Sequence, residues 1–167
     1  CYARRMTLVG KAFAIAADVH QDQVDKAGEP YILHPVAVME LATEYHLKTS
    51  DGFQLEKVQA AALLHDAVED VRDGLRAMVA ARINDLDPRV SEAVDALTKR
   101  GTVQNKEPYD TYLGRVEGDW IARIVKIADL THNLDAFRIP TKIGERDFER
   151  WDKYHRALVR LSHGERQ

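Results

Sequence analysis

Leu55-Glu56-Lys57-Val58-Gln59-Ala60-Ala61-Ala62-Leu63-Leu64-His65-Asp66-Ala67-Val68-Glu69-Asp70 is the stretch on which the fold turns. Its apolar residues lie nearly all the way round a helical wheel, which marks a helix enclosed by others and predicts a central element from about Leu55 to Asp70. A comparable run, Ile121, Ile124, Val125, Ile127 and Ala128, predicts a second largely buried helix from Trp120 to about Phe137, with Asp119 as its N-cap. Around these two, helical spacing recurs almost everywhere, from Leu8, Phe13, Ile15, Ala16 and Val19 onward, and no strand alternation with hairpin turns interrupts it. The fold class is therefore all-α, a bundle of about eight helices.

The remaining boundaries follow from local signals. The first helix ends before the polar loop Gln21–Pro30, and the second begins near His34-Pro35, because proline suits the first turn of a helix. Gly74 lies just past the central helix, and a shorter helix runs to about Ile83. Pro88–Thr98, a polar loop Lys99–Glu107, Tyr109–Val116 and a charged terminal helix Arg146–Leu161 complete the order.

Composition narrows the function classes. With 45% hydrophobic and 31% charged residues over 167 positions, the chain suits one structured domain, 1–167, with one core. A net charge of −3 with interleaved signs leaves no footprint for polynucleotide or an anionic membrane. No apolar run approaches the ~20 residues of a membrane span. Cys1 is the lone cysteine, which fits a reducing, cytoplasmic setting, and the absence of an initiator Met suggests a processed or trimmed chain.

A His-Asp dipeptide by itself proves little, since 7 His and 16 Asp would supply about 0.7 of them by chance. His65-Asp66, however, interrupts the most apolar helix, where a buried carboxylate costs several kcal/mol unless paired or bound to a cation. Glu69 and Asp70 follow at i+4, so that four polar side chains would stack along one helix. Three carboxylates this close repel one another, and a divalent cation reverses that repulsion. The bland alternative is a solvated helix end. Asp129 repeats the pattern in the second buried helix, one turn after Lys126, with His132 and Asn133 in the next turn; its bland alternative is an internal Lys126–Asp129 pair. His34 alone reads more readily as a cap or a packed surface residue than as a ligand.

Three blocks, Gly28-Glu29-Pro30-Tyr31-Ile32-Leu33-His34-Pro35, Ala61 to Asp70, and Lys126-Ile127-Ala128-Asp129-Leu130-Thr131-His132-Asn133-Leu134, closely resemble the hydrolase domain of the RelA/SpoT family and its stand-alone relatives, the small alarmone hydrolases. These are helical HD-superfamily enzymes. The likeness runs from about Phe13 to the C-terminus, and Tyr154-His155-Arg156-Ala157-Leu158 resembles the small stand-alone forms, in which no synthetase or regulatory domain follows. The resemblance implies one Mn²⁺ ion held by His34, His65, Asp66 and Asp129, with Glu69 and Asp70 positioning or deprotonating the attacking water. Two imidazoles and two carboxylates suit Mn²⁺ or another first-row divalent ion, and the lack of thiolates argues against a structural zinc site. It further implies hydrolysis of the 3′-pyrophosphate of guanosine tetra- or pentaphosphate to pyrophosphate and GDP or GTP. Asn133 matches a family position that contacts the nucleotide; Lys126 would neutralise phosphates or orient Asp129. Lys99 and Arg100 are candidates by charge alone.

The match departs at the base. Asp25 stands where the family usually carries an arginine that can stack on guanine; a carboxylate could instead accept hydrogen bonds from guanine N–H groups. Leu130-Thr131 replaces a typical Arg-Leu, and Ala136 replaces a polar nucleotide contact. Two other functions follow as alternatives: an HD phosphohydrolase for another nucleotide or phosphate ester, and a non-catalytic nucleotide-binding module.

Overall fold

A computed structural model describes residues 6–25, 28–71, 74–101, 105–135 and 143–163. The described residues form eight helices: α1 (Leu8–His20), α2 (Leu33–Thr49), α3 (Leu55–Leu64), α4 (Arg76–Asn84), α5 (Pro88–Leu97), α6 (Tyr109–Glu117), α7 (Trp120–Asn133) and α8 (Glu145–His163). Extended pairing among them is limited to two isolated bridges, Val24 with Pro30 and Gly101 with Lys106. Among the described residues no helix is long and apolar enough to cross a membrane. The all-α reading holds, and so do most of the predicted boundaries.

The centre is built as the apolar runs predict. α3 packs against α1, α2, α5 and α7, while α7 packs against α2, α3, α5, α6 and α8. Ala60, Ala61 and Ala62 are fully enclosed along with Leu63 and Leu64. Three successive alanines leave no bulk between backbones, so neighbouring helices close in on α3. Filling that space forces shifts costing about 1–3 kcal/mol; Ala61→Leu should lower the urea midpoint of unfolding with an unchanged slope.

Local caps explain several starts. The Asp119 side chain accepts from Ala122 N at 2.9 Å, and Asp87 accepts from Arg89 N and Val90 N ahead of Pro88 at the first turn. Thr7 does the same for α1. Phe13, counted above toward the apolar face of α1, is instead 45% exposed, and the buried face is Ala12, Ile15, Ala16 and His20.

Two helix ends are corrected. α3 stops at Leu64, six residues short of Asp70. The reason is His65, whose Nδ1–H donates to Ala62 O at 2.7 Å, the carbonyl that Asp66 N–H would use in a continuing helix. Ala67 N then bonds Leu64 O at 3.0 Å in a tighter turn, and Asp70 N bonds Asp66 O at 2.9 Å. His65, Asp66, Glu69 and Asp70 therefore occupy a chain of turns rather than one helix face. α7 ends at Asn133, where Leu134 caps it; Ala136 and Phe137 lie outside the described residues.

Candidate metal centre

Four side chains from three parts of the chain meet at the heart of the bundle. His34 comes from the first turn of α2, His65 and Asp66 from the turns after α3, and Asp129 from the last turns of α7. His34 Nε2 lies 3.5 Å from Asp66 Oδ2 and 3.3 Å from Asp129 Oδ1. His65 Nε2 lies 3.0 and 3.7 Å from the same two oxygens. His34, His65 and Asp129 are buried, whereas the Asp66 side chain is 23% exposed, so the cluster opens to solvent on that side.

The protonation pattern tests whether a cation fits. Because Nδ1 of His65 donates to a carbonyl, its Nε2 carries the lone pair in the neutral ring. That Nε2 is buried and makes no hydrogen bond although Asp66 Oδ2 lies 3.0 Å away: with the ring proton on Nδ1, both facing atoms carry lone pairs and neither can donate. A bare ring nitrogen facing carboxylate oxygens is an arrangement that a positive charge satisfies. Ligand atoms of His34, His65 and Asp66 all lie within 4.8 Å of one another, and the nitrogen–oxygen donor set suits a first-row divalent ion.

Electrostatics point the same way. Burial alone would lower the His65 pKa, yet the charges of Asp66 and Asp129 prevail and push it up to about 10. Burial would raise both carboxylates, but the imidazoles beside Asp66, and Lys126 with the imidazoles beside Asp129, hold each well below the usual range. The two carboxylates thus favour positive charge at this position, which a bound cation would supply. Asp129 is held from both oxygens: Lys126 Nζ donates to Oδ2 and Asn133 Nδ2 to Oδ1, each at 2.6 Å. Asp66 Oδ2 accepts from Tyr31 Oη at 2.8 Å, and burial together with Asp66 and Asp70 raises the Tyr31 pKa so that it stays a phenol donor.

The other sequence candidates divide. Glu69 Oε1 pairs with Lys99 Nζ at 3.0 Å. Asp70 lies at the surface beside Tyr31, and burial of its carboxyl with the Asp66 charge raises its pKa. Its carbonyl accepts from Gln23 Nε2 at 2.9 Å, and Gln23 Oε1 accepts from His20 Nδ1 at 2.7 Å, which ties the loop before α2 to the site. Asp25 turns its Oδ1 to Glu29 N at 3.1 Å and closes its own loop. Asn133 also donates to Asp129 O at 3.0 Å, so its amide is engaged with Asp129. Arg100 pairs with Asp95 on the surface.

Sequence reasoning assigned no role to Tyr31, His132 or Lys153. His132 Nδ1 sits 2.7 Å from His34 Nδ1, with the rings edge to edge, their centroids 5.0 Å apart. Lys153, from α8, lies over the rings of Tyr109 and Tyr154, and its pKa is lowered by burial and then by Lys99 and Lys126, so three lysines share one side of the site. The Lys99 loop turns at Gly101, at φ +100°, where a Cβ would fall 2.1 Å from Asn105 O; glycine is obligatory there. A periodic signal could not have found Lys153, because its helix is charged throughout; Tyr31 lies one helical turn before His34 and was within reach.

Known proteins share this architecture. Residues 12–150 match the family profile described as an HD domain. The chain is 33% identical over 128 residues to the guanosine-3′,5′-bis(diphosphate) 3′-pyrophosphohydrolase of Vibrio cholerae, covering 74% of this chain and 17% of that protein. It is 34% identical over 131 residues to the probable enzyme of the same name from Synechocystis sp., covering 76% and 16%. To the probable GTP pyrophosphokinase of Mycobacterium leprae it is 30% identical over 138 residues, covering 80% and 16%. The chain spans about a sixth of the length of these curated relatives. A solved structure of a metazoan ortholog of SpoT, described as hydrolyzing ppGpp, shares the fold with a TM-score of 0.72 at 21% identity, covering 97% of this chain and 89% of that one. Since the profile extends from α1 into α8 and takes in all four converging side chains, the chain belongs to the HD-domain family.

Proposed function

We propose that this domain hydrolyses the 3′-pyrophosphate of guanosine tetra- or pentaphosphate, releasing pyrophosphate and GDP or GTP, with one Mn²⁺ held by His34, His65, Asp66 and Asp129. The observation that carries the metal site is the buried, unpartnered Nε2 of His65 facing two carboxylates. The names borne by the relatives from Vibrio cholerae and Synechocystis support the substrate. The lone cysteine supports a cytoplasmic setting.

A bound divalent cation there would lower the pKa of a coordinated water and polarise a phosphoryl oxygen. The protein supplies the rest. Asp70, with its raised pKa at the rim, takes the proton of the attacking water, while Glu69 is steadied by Lys99 and orients that water. Water oxygen bonds to phosphorus as the bond to the 3′-oxygen breaks, and that oxygen leaves as a hydroxyl, taking up the equivalent of the proton that Asp70 removed from the water. Lys99, Lys126 and Lys153 gather positive charge on the side where phosphates would lie. Asn133 and Lys126 fix Asp129 and, through it, the ligand set. A small-molecule nucleotide, rather than a polynucleotide, is the partner.

One observation favours a second reading, an HD phosphohydrolase for a different nucleotide: Asp25 spends its carboxylate on its own loop and offers no stacking cation to a base. Both readings are separated by incubating the Mn²⁺-loaded protein with guanosine tetraphosphate beside a panel of other nucleotides. Pyrophosphate and GDP in equal amounts from the guanosine compound are expected. A clear preference for a substrate without guanine would replace the first reading by the second, and tight nucleotide binding without any product would leave a non-catalytic module.

A further inference from the structure

We infer that His132 is a positioning residue, which fixes the ring of His34 in the tautomer that can bind a cation. The inference rests on the metal-site reading above. Two imidazole nitrogens 2.7 Å apart, Nδ1 of His34 and Nδ1 of His132, must share a proton, because two lone pairs at that separation repel. Which ring owns the proton follows from the other end of His34. Its Nε2 faces Asp66 and Asp129 at 3.5 and 3.3 Å, and a cation-binding nitrogen must present a lone pair. The His34 proton therefore sits on Nδ1, and His132 Nδ1 accepts it. His132 in turn carries its proton on Nε2.

The same logic appears at His65, where the Ala62 carbonyl accepts from Nδ1 and leaves Nε2 bare. His34 has its backbone elsewhere, near the start of α2, and takes its acceptor from α7, the two rings lying edge to edge with centroids 5.0 Å apart and planes within 18°. Successive residues of α7 thus each hold a ligand: His132 holds His34 of α2, and Asn133 holds Asp129 of its own helix. An acceptor on the outer nitrogen also fixes the ring's rotation and raises the basicity of the inner one, and losing such a partner typically costs 10–100-fold in metal affinity.

The test uses Mn²⁺ alone, with free ion counted by electron paramagnetic resonance. His132→Phe keeps an aromatic ring in that place and removes the acceptor, so its Mn²⁺ dissociation constant should rise roughly 10–100-fold. His132→Asn can place Oδ1 near the position of Nδ1 and should return affinity to within about threefold of wild type, a rescue that a packing role would not give. Equal affinity in wild type and His132→Phe would overturn the inference while leaving the metal site standing. Absence of Mn²⁺ binding by wild type would overturn the metal site and this inference with it. Independent of any variant, nitrogen-15 imidazole spectra of Zn²⁺-loaded wild type should place the His34 proton on Nδ1 and the His132 proton on Nε2; a proton on His132 Nδ1 refutes the assignment.

Discussion

Asp66→Ala is expected to abolish Mn²⁺-dependent pyrophosphate release, a loss of at least about 10³-fold, since metal and nucleophile generation depend on one site. The expectation comes from the position of Asp66. Of the four converging side chains it is the one that faces solvent, it lies within 3.5 Å of both imidazoles, and Tyr31 fixes the oxygen that points at them. Removing it takes half the negative charge from the cavity and leaves Tyr31 without its acceptor. Metal content of the purified variant, measured alongside product formation, distinguishes loss of the ion from loss of chemistry. Wild-type activity in a variant that retains its circular dichroism would sink the proposed site.

Lys126→Met is expected to be the most destabilising change in the metal-free protein. Lys126 and Asp129 are both buried and joined at 2.6 Å, and cutting one partner from such a pair strands the other at a cost of about 3–5 kcal/mol. For a domain of this size that corresponds to a fall in Tm of roughly 6–20 °C. The burial of Lys126 already raises the stakes: Asp129 holds its pKa well above the ordinary lysine value against a desolvation that would lower it. Adding Mn²⁺ supplies positive charge to Asp129 from its other oxygen, so the deficit should shrink when the melt is repeated with excess metal. An unchanged Tm in chelator would show that the pair contributes nothing.

Much of this was legible in the sequence, for reasons that differ from residue to residue. α3 and α7 announce themselves because being buried on every side removes polar positions from a helical pattern, and Pro88 and Asp119 mark starts because capping is local. The ends of α3 and α7 were not legible. Both are terminated beside side chains, His65 and Asn133, that bond back to the main chain, and neither residue type is a helix breaker by propensity. Within the site, His65, Asp66 and Asp129 stand out as charges in apolar runs. His34 has no such contrast around it and needed the family blocks. Tyr31 and His132 act across helices, and nothing in a one-dimensional pattern states which ring will lie against which. Asp25, expected to meet the base, accepts from Glu29 N and so also closes its own turn, a contact that no helical pattern announces.

The hydrogen bond from His65 to Ala62 both halts α3 and aims a ring nitrogen at the carboxylates. One contact thereby sets both the direction of the chain after α3 and the aim of the ring. A cation held at the proposed site would meet His65 already oriented by a main-chain hydrogen bond, so that its binding energy would not go into ordering that ring. A donor fixed in this way favours ions whose radius and coordination suit its position.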